Sequence, residues 1–231
     1  MAKKAPRRTA QRILECTLDL FNRFGEPNVS TTRIAAELGI SPGNLYYHYP
    51  AKDALINRLQ QNCDTELQEA LARAEAAGDL EGAAELVRAL MALVWRYRFL
   101  YRDLNDLLSK SRDFEARLQT MLRTQEAALR VLLRRLAASG QLRLDEKEAG
   151  MLARNMVVLL SFWLNYEYAG DPREALEPEH APLALARGTA HILQLLTPHV
   201  RPTDRDSWDN WQTQPFTRAT ERRAESTALP H

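Results

Sequence analysis

Apolar residues recur at spacings of three and four along most of the chain, glycine is scarce, and β-branched runs are short. That periodicity predicts an all-α protein. A first helix is expected over about Thr9–Phe24, with Ile13, Leu14, Thr17, Leu18, Leu20, Phe21 and Phe24 on one side and Gly25 as its stop. Ser30 can cap a short second helix, about Thr31–Leu38, whose Ile34, Ala35 and Leu38 face inward and which Gly39 ends. Ser41 can cap a third, with Pro42 at the first position where a missing N–H costs nothing, Leu45 as its inward anchor, and Pro50 beyond its end. A fourth runs from about Ala51 past Leu71 and is expected to connect two domains. Later helices are predicted at about Leu80–Trp95, Phe99–Leu108, Asp113–Ala138, Asp145–Tyr168 and Pro182–Leu196, punctuated by Ser139-Gly140 and Gly170-Asp171-Pro172.

From Arg201 onward the pattern is polar, charged and aperiodic, so this stretch reads as a tail. Trp208, Trp211 and Phe216 are nevertheless too many large aromatics for a freely solvated segment, and they are expected to dock on the preceding domain. The division predicted is therefore an N-terminal three-helix domain over residues 1–53, a larger helical domain over 54–200, and a tail over 201–231. A chain of 231 residues with 45% hydrophobic composition can bury the two unequal cores this requires.

Charge adds a direction. The whole chain is nearly neutral, but residues 1–58 carry nine Lys or Arg against five Asp or Glu, and the remainder carries 22 against 25. The N-terminal quarter is thus the part expected to face an anion. Two cysteines, Cys16 and Cys63, exclude a disulfide scaffold and a paired-cysteine metal site, which fits a reducing cytoplasm. No stretch of 18 uncharged apolar residues occurs, so neither secretion nor membrane spanning is expected.

The informative segment is STTRIAAELGISPGNLYYHYPAK, residues 30–52. It is two short capped helices joined at Gly39-Ile40-Ser41, a turn that lets Ile34, Leu38, Ile40 and Leu45 share a small core while one face of the second helix stays free for a major groove. Asn44 can pair with a base edge. Tyr46, Tyr47 and His48 offer phosphate hydrogen bonds and contacts to thymine methyls, and Gly43 allows close backbone approach. Thr31 and Thr32 add donors at the amino end of the second helix, and Lys52 is placed to reach a phosphate.

LGISPGNLYYHYPAKDALINRL resembles the DNA-binding signature of the tetracycline-repressor (TetR) family, with its glycine turn, aromatic run and following lysine. Tyr49 stands where phenylalanine is usual. The resemblance covers about Arg12 to Leu59 in detail and implies a homodimer that reads an inverted repeat in double-stranded DNA, with a small organic effector held by the C-terminal domain and usually repression relieved by that effector. Carried over by position, it assigns DNA contact to Thr31, Thr32, Arg33, Pro42, Gly43, Asn44, Tyr46, Tyr47, His48 and Lys52.

In the C-terminal half, the run from Met156 to Leu164 is apolar on nearly every face, which predicts a helix buried on one side and paired with a second copy on another. Leu185, Thr189, Ile192, Leu193 and Leu196 would complete a four-helix dimer interface. Candidate effector-binding residues are Trp95, Arg98, Phe99, Arg102, Met121, Met156, Phe162 and Trp163, which combine flat walls, adaptable thioethers and an arginine for an anionic group. Alternatively, Trp95, Phe99 and Leu100 are plain core and the arginines pair with Asp103 and Asp106. No catalytic constellation, cofactor motif or metal-ligand spacing occurs, and Glu177, Glu179 and His180 flank prolines in what reads as a solvated loop. An enzyme is not expected. The alternative function is a helical interaction adaptor that has lost DNA recognition.

Overall fold

The computed structural model describes residues 6–175 and 177–213. Among these, eleven α-helices and short 3-10 turns account for the regular structure, with one isolated bridge between Leu142 and Val200. The chain parts into two compact units, residues 1–64 with 97–116, and residues 65–96 with 117–231.

The first unit holds α1 (Pro6–Phe24), α2 (Thr31–Glu37), α3 (Pro42–His48), the start of α4 (Lys52–Ala77), α6 (Arg98–Arg102) and α7 (Leu104–Lys110). The local rules operate as expected: Ser30 Oγ accepts from Arg33 N–H at 3.2 Å, Ser41 Oγ accepts from Asn44 N–H at 3.2 Å, and Gly39 turns the chain with φ +63°. Ile13, Leu20, Phe21, Val29, Ile34, Leu45, Leu55 and Leu59 form its core. The domain boundary read at residue 53 falls at the start of α4, whereas the compact unit also takes in residues 54–64 and 97–116. The reason is tertiary: the Phe99 ring is fully buried against Phe21, centroids 5.1 Å apart. The single helix expected over Phe99–Leu108 is two helices, because the chain bends at Asp103 (φ −95°, ψ +19°).

The second unit comprises the rest of α4, α5 (Leu80–Arg96), nearly all of α8 (Arg112–Ala138), α9 (Glu146–Gly170), α10 (Ala181–Gln194) and α11 (Arg205–Thr213). A capping box starts α9: Asp145 accepts from Glu148 N–H at 2.8 Å while Glu148 accepts from Asp145 N–H at 2.7 Å. Helices α5, α9 and α10 pack on one another. Trp163 donates its indole N–H to the Ala184 carbonyl at 2.8 Å.

The expectation of an aperiodic tail after Arg201 is corrected by α11. Trp208 is completely buried, with its indole N–H donated to Thr197 Oγ1 at 2.9 Å, and Gln212 donates to the same hydroxyl at 2.8 Å. One buried tryptophan gives a nine-residue helix the apolar anchor that its own periodicity does not display. Trp211 is half-buried, 6.4 Å from Trp208, and Phe216 lies outside the described residues.

The crossing of α10 over α5 and α9 depends on Gly188. A Cβ there would lie 2.5 Å from Met91 Cε and 2.6 Å from Trp163 Cδ1. The methionine tip can move, but the indole is held by its hydrogen bond. Gly188→Ala is therefore expected to destabilise the fold by about 1–3 kcal/mol, the usual cost of overpacking, measured as a lower denaturant midpoint with an unchanged slope.

Candidate DNA-binding surface

Helix α3 buries one side chain completely, Leu45, and turns the others outward. Tyr47 is 79% exposed, Pro42, Gly43 and Asn44 are exposed, and His48 is half-buried with its ring edge-on to Tyr47 at 5.1 Å. Seven residues with one inward anchor are enough only because α2 carries the other half of the small core through Ile34 and Ala35.

The amino end of α2 lies on the same surface. The Thr31 and Tyr46 hydroxyls are 2.9 Å apart, which ties the start of α2 to the exposed side of α3, and Ser30 Oγ lies 2.7 Å from Thr32 Oγ1. A shallow groove of about 570 Å³ is bordered by Pro27, Asn28, Val29, Ser30, Thr31, Tyr46, Pro50, Ala51 and Lys52. Arg33 extends from α2 with its guanidinium 3.9 Å from the centre of the half-exposed Phe24 ring, a cation–π contact that holds a long side chain in one direction. Tyr49 takes the aromatic place at the end of α3 by donating its hydroxyl to the Ala10 carbonyl at 3.4 Å. Burial pushes its phenol pKa upward, so it stays a neutral donor.

Lys52, expected to reach a phosphate, borders the groove and is paired within the protein. Its ammonium is 2.6 Å from Glu26 Oε1 and 2.6 Å from the Glu26 carbonyl. Glu26 is buried in the turn after α1, with Lys110 of α7 3.7 Å from its other oxygen. A buried carboxylate must be paired, and Lys52 does this directly, while Lys110, itself bonded to Asp106, adds its charge from further away.

Beside this pair, α6 and α7 grip the end of α1. Arg102 donates to the Phe21 carbonyl at 2.7 Å, which also accepts the Gly25 N–H at 2.9 Å, and to the Asn22 carbonyl at 3.1 Å, at a helix end where backbone acceptors run out of partners. Asp103 orients that guanidinium at 3.1 Å and accepts Glu26 N–H at 2.7 Å, while Asn22 Oδ1 accepts Phe99 N–H at 3.1 Å. Gly25 (φ +87°) permits the approach, since a Cβ there would lie 3.3 Å from Arg102 Nη2. Glu26, Asp103, Lys110 and Asn22 carry no local sequence signal for this role.

The effector-binding residues expected from the sequence are divided between the two units. Arg98, Phe99 and Arg102 belong to the first unit, where Phe99 is core and Arg102 is the clamp just described. Met121, Met156 and Trp163 are buried in the second unit, with Trp95 half-buried at the end of α5. Phe162 is 49% exposed on α9, while Trp163 beside it takes the inward direction. Among the described residues no group of three or more His, Cys, Asp or Glu is placed to hold a metal ion, and no helix is long and apolar enough to cross a membrane.

The profile described as "Bacterial transcriptional repressor" (TetR) matches residues 53–208, and that described as "Bacterial regulatory proteins, tetR family" matches residues 13–59. The chain belongs to the TetR family. It is a DNA-binding transcriptional regulator, with an N-terminal helix-turn-helix followed by a larger helical domain. A TetR-family regulator from Marinobacter aquaeolei VT8 superimposes with a TM-score of 0.77 at 25% identity, over 88% of this chain and 97% of that one. A transcriptional regulator from Saccharomonospora viridis, solved in complex with choline, shares the fold with a TM-score of 0.66 at 18% identity, over 84% and 99%. The curated relatives match over shorter stretches. The nucleoid occlusion factor SlmA of Actinobacillus pleuropneumoniae is 38% identical over 66 residues, 26% of this chain and 33% of the relative. An HTH-type transcriptional regulator of Staphylococcus aureus strain USA300 is 43% identical over 53 residues, 23% of this chain and 29% of the relative. The chain therefore spans about a third of the curated relatives it matches.

Removing the ammonium at position 52 leaves Glu26 buried beside a more distant Lys110. Lys52→Met is expected to cost about 3 kcal/mol of folding stability, read by urea titration. The salt dependence of DNA binding should hardly change, because the lysine's charge is already neutralised within the protein.

Proposed function

We propose that this TetR-family regulator binds an inverted repeat as a homodimer and acts as a repressor that a small organic molecule releases. The observation that carries the DNA reading is the composition of the α3 face, whose outward side chains are Asn44, Tyr46 and Tyr47 while Leu45 alone fills the core. Asn44 and Tyr47 contact bases. Pro42 and Gly43 let the backbone approach. Thr31, Thr32, Tyr46 and His48 hold phosphates, and Arg33 reaches the DNA from its seat on Phe24. Lys52 is omitted from this set because Glu26 occupies it.

Support for the dimer comes from α9 and α10. Helix α9 buries Met156, Leu160 and Trp163 on one side and exposes Met151, Val158, Phe162 and Tyr166 on the other, with Leu183 of α10 also exposed. Val158, Phe162 and Tyr166 follow each other at four-residue steps, so they form one stripe. A second copy packed by two-fold symmetry would cover it. Two recognition helices must then sit about 34–36 Å apart, one turn of B-DNA. Release by an effector requires that the ligand bind one arrangement of the recognition helices more tightly than the other. The choline complex of the Saccharomonospora viridis regulator supports a small-molecule site on this fold.

Selection of bound sequences from random duplex DNA tests the reading directly. A palindrome should be recovered, and Tyr47→Ala should lose about 1–3 kcal/mol of affinity for it; recovery of no preferred sequence refutes the assignment. Phe162→Glu should yield monomers in sedimentation, with loss of palindrome binding. Phe24→Ala should weaken DNA binding about three- to fivefold, the worth of an exposed cation–π contact, and the effect should vanish in an Arg33→Ala background.

A further inference from the structure

Arg88 of α5 is only 6% exposed in the second unit, and no carboxylate of the described residues is paired with it. Its guanidinium donates from Nη2 to the main-chain carbonyl of Trp211, while Nε is buried without a partner. Burial lowers its pKa, opposed by Glu85 and then Glu81, both of them exposed on the same helix. One turn to either side on α5, Ala84 and Met91 are buried and apolar, and α5 packs against both α10 and α11.

The Trp211 carbonyl lies in the last turn of α11, where helix carbonyls lack partners, so Arg88 caps that helix. A carbonyl dipole does not neutralise a full charge, and among the described residues only the exposed Glu85 and Glu81, neither in contact, oppose the cost of burying this guanidinium. This strained cation therefore has more to gain from an anion than from the group it now holds.

We propose that Arg88 anchors an effector subsite for a small organic monoanion, a carboxylate on an apolar body, with α11 as its lid. The ligand carboxylate replaces the Trp211 carbonyl on the guanidinium as a two-pronged pair, and α11 lifts to admit the apolar part against α5 and α10. One buried positive charge among apolar neighbours selects a single negative charge with a hydrophobic remainder, and it repels a quaternary ammonium. This names the chemistry of the effector proposed above and rests on that reading only for its regulatory consequence.

The probes are decanoate, decanol and decyltrimethylammonium, each below its micellar range, titrated into the full chain by calorimetry and by the emission of Trp208 and Trp211. Decanoate is expected to bind about tenfold more tightly than decanol, the equivalent of one charge-assisted hydrogen bond, and to shift tryptophan emission to the red. Arg88→Met, which removes a buried charge and should fold, is expected to abolish that preference. Should Arg88→Met not fold, amide exchange in residues 205–213 of the wild type supplies the readout, and decanoate should accelerate it. Equal binding of decanoate and decanol, a preference retained in Arg88→Met, or unchanged exchange in α11 overturns the subsite. Operator affinity, measured in parallel, separates the two readings. Decanoate binding that leaves it unchanged upholds the subsite and refutes release by this ligand, whereas failure of decanoate to bind refutes the subsite and leaves effector release standing.

Discussion

The amino end of the molecule depends on how the end of α1 is held. A helix end leaves its last carbonyls short of partners, and here the guanidinium of Arg102 takes that of Asn22 and shares that of Phe21 with the Gly25 N–H, while Asp103 takes the N–H of Glu26 one residue beyond the stop at Gly25. Those bonds place a cation at the negative end of the helix dipole and fix where the chain goes next. What goes next is the turn that leads into α2 and α3, so the orientation of the recognition surface is inherited from contacts made by residues 99–110. The buried Glu26 carboxylate adds a second constraint, since its two lysines come from α4 and α7 and must both stay in place.

With that scaffold set, the recognition surface needs little else. Each of the two short helices is started by a serine, and Leu45 and Ile34 suffice to join them. Side chains that face outward are held in position by one another: Tyr46 against Thr31, Tyr47 against His48, Arg33 against Phe24. Preorganisation of this kind lowers the entropy lost on binding and directs polar groups toward one ligand.

The second unit solves a different problem, an α9 helix with apolar residues on both faces. One face is closed by α10, brought in closely at Gly188, and the other is left as a stripe of Val158, Phe162 and Tyr166. The same unit ends in α11, which Trp208 attaches through burial and Arg88 through a single carbonyl. The apolar contact is satisfied in full. The charged one is not: Arg88 Nε is buried there without a hydrogen-bond partner.

Sequence alone determined what depends on neighbours within a few residues: the period of each helix, the serine caps, the glycine stop after α1 and turn after α2, and the outward chemistry of Asn44, Tyr46 and Tyr47. Those features are set by backbone sterics and by hydrogen bonds that close over three or four positions, so they are written locally. Tertiary structure alone decided that Lys52 serves Glu26, that Arg102 serves α1, that Phe162 faces out while Trp163 faces in, and that residues 205–213 are helical. The partners in the first two cases lie 26 and 81 residues apart, and a charge or an aromatic ring carries no mark in the sequence of which distant group will take it. Only packing brings such groups within reach, and the cost of burying an unpaired charge or leaving a tryptophan in water then selects among the arrangements that packing allows.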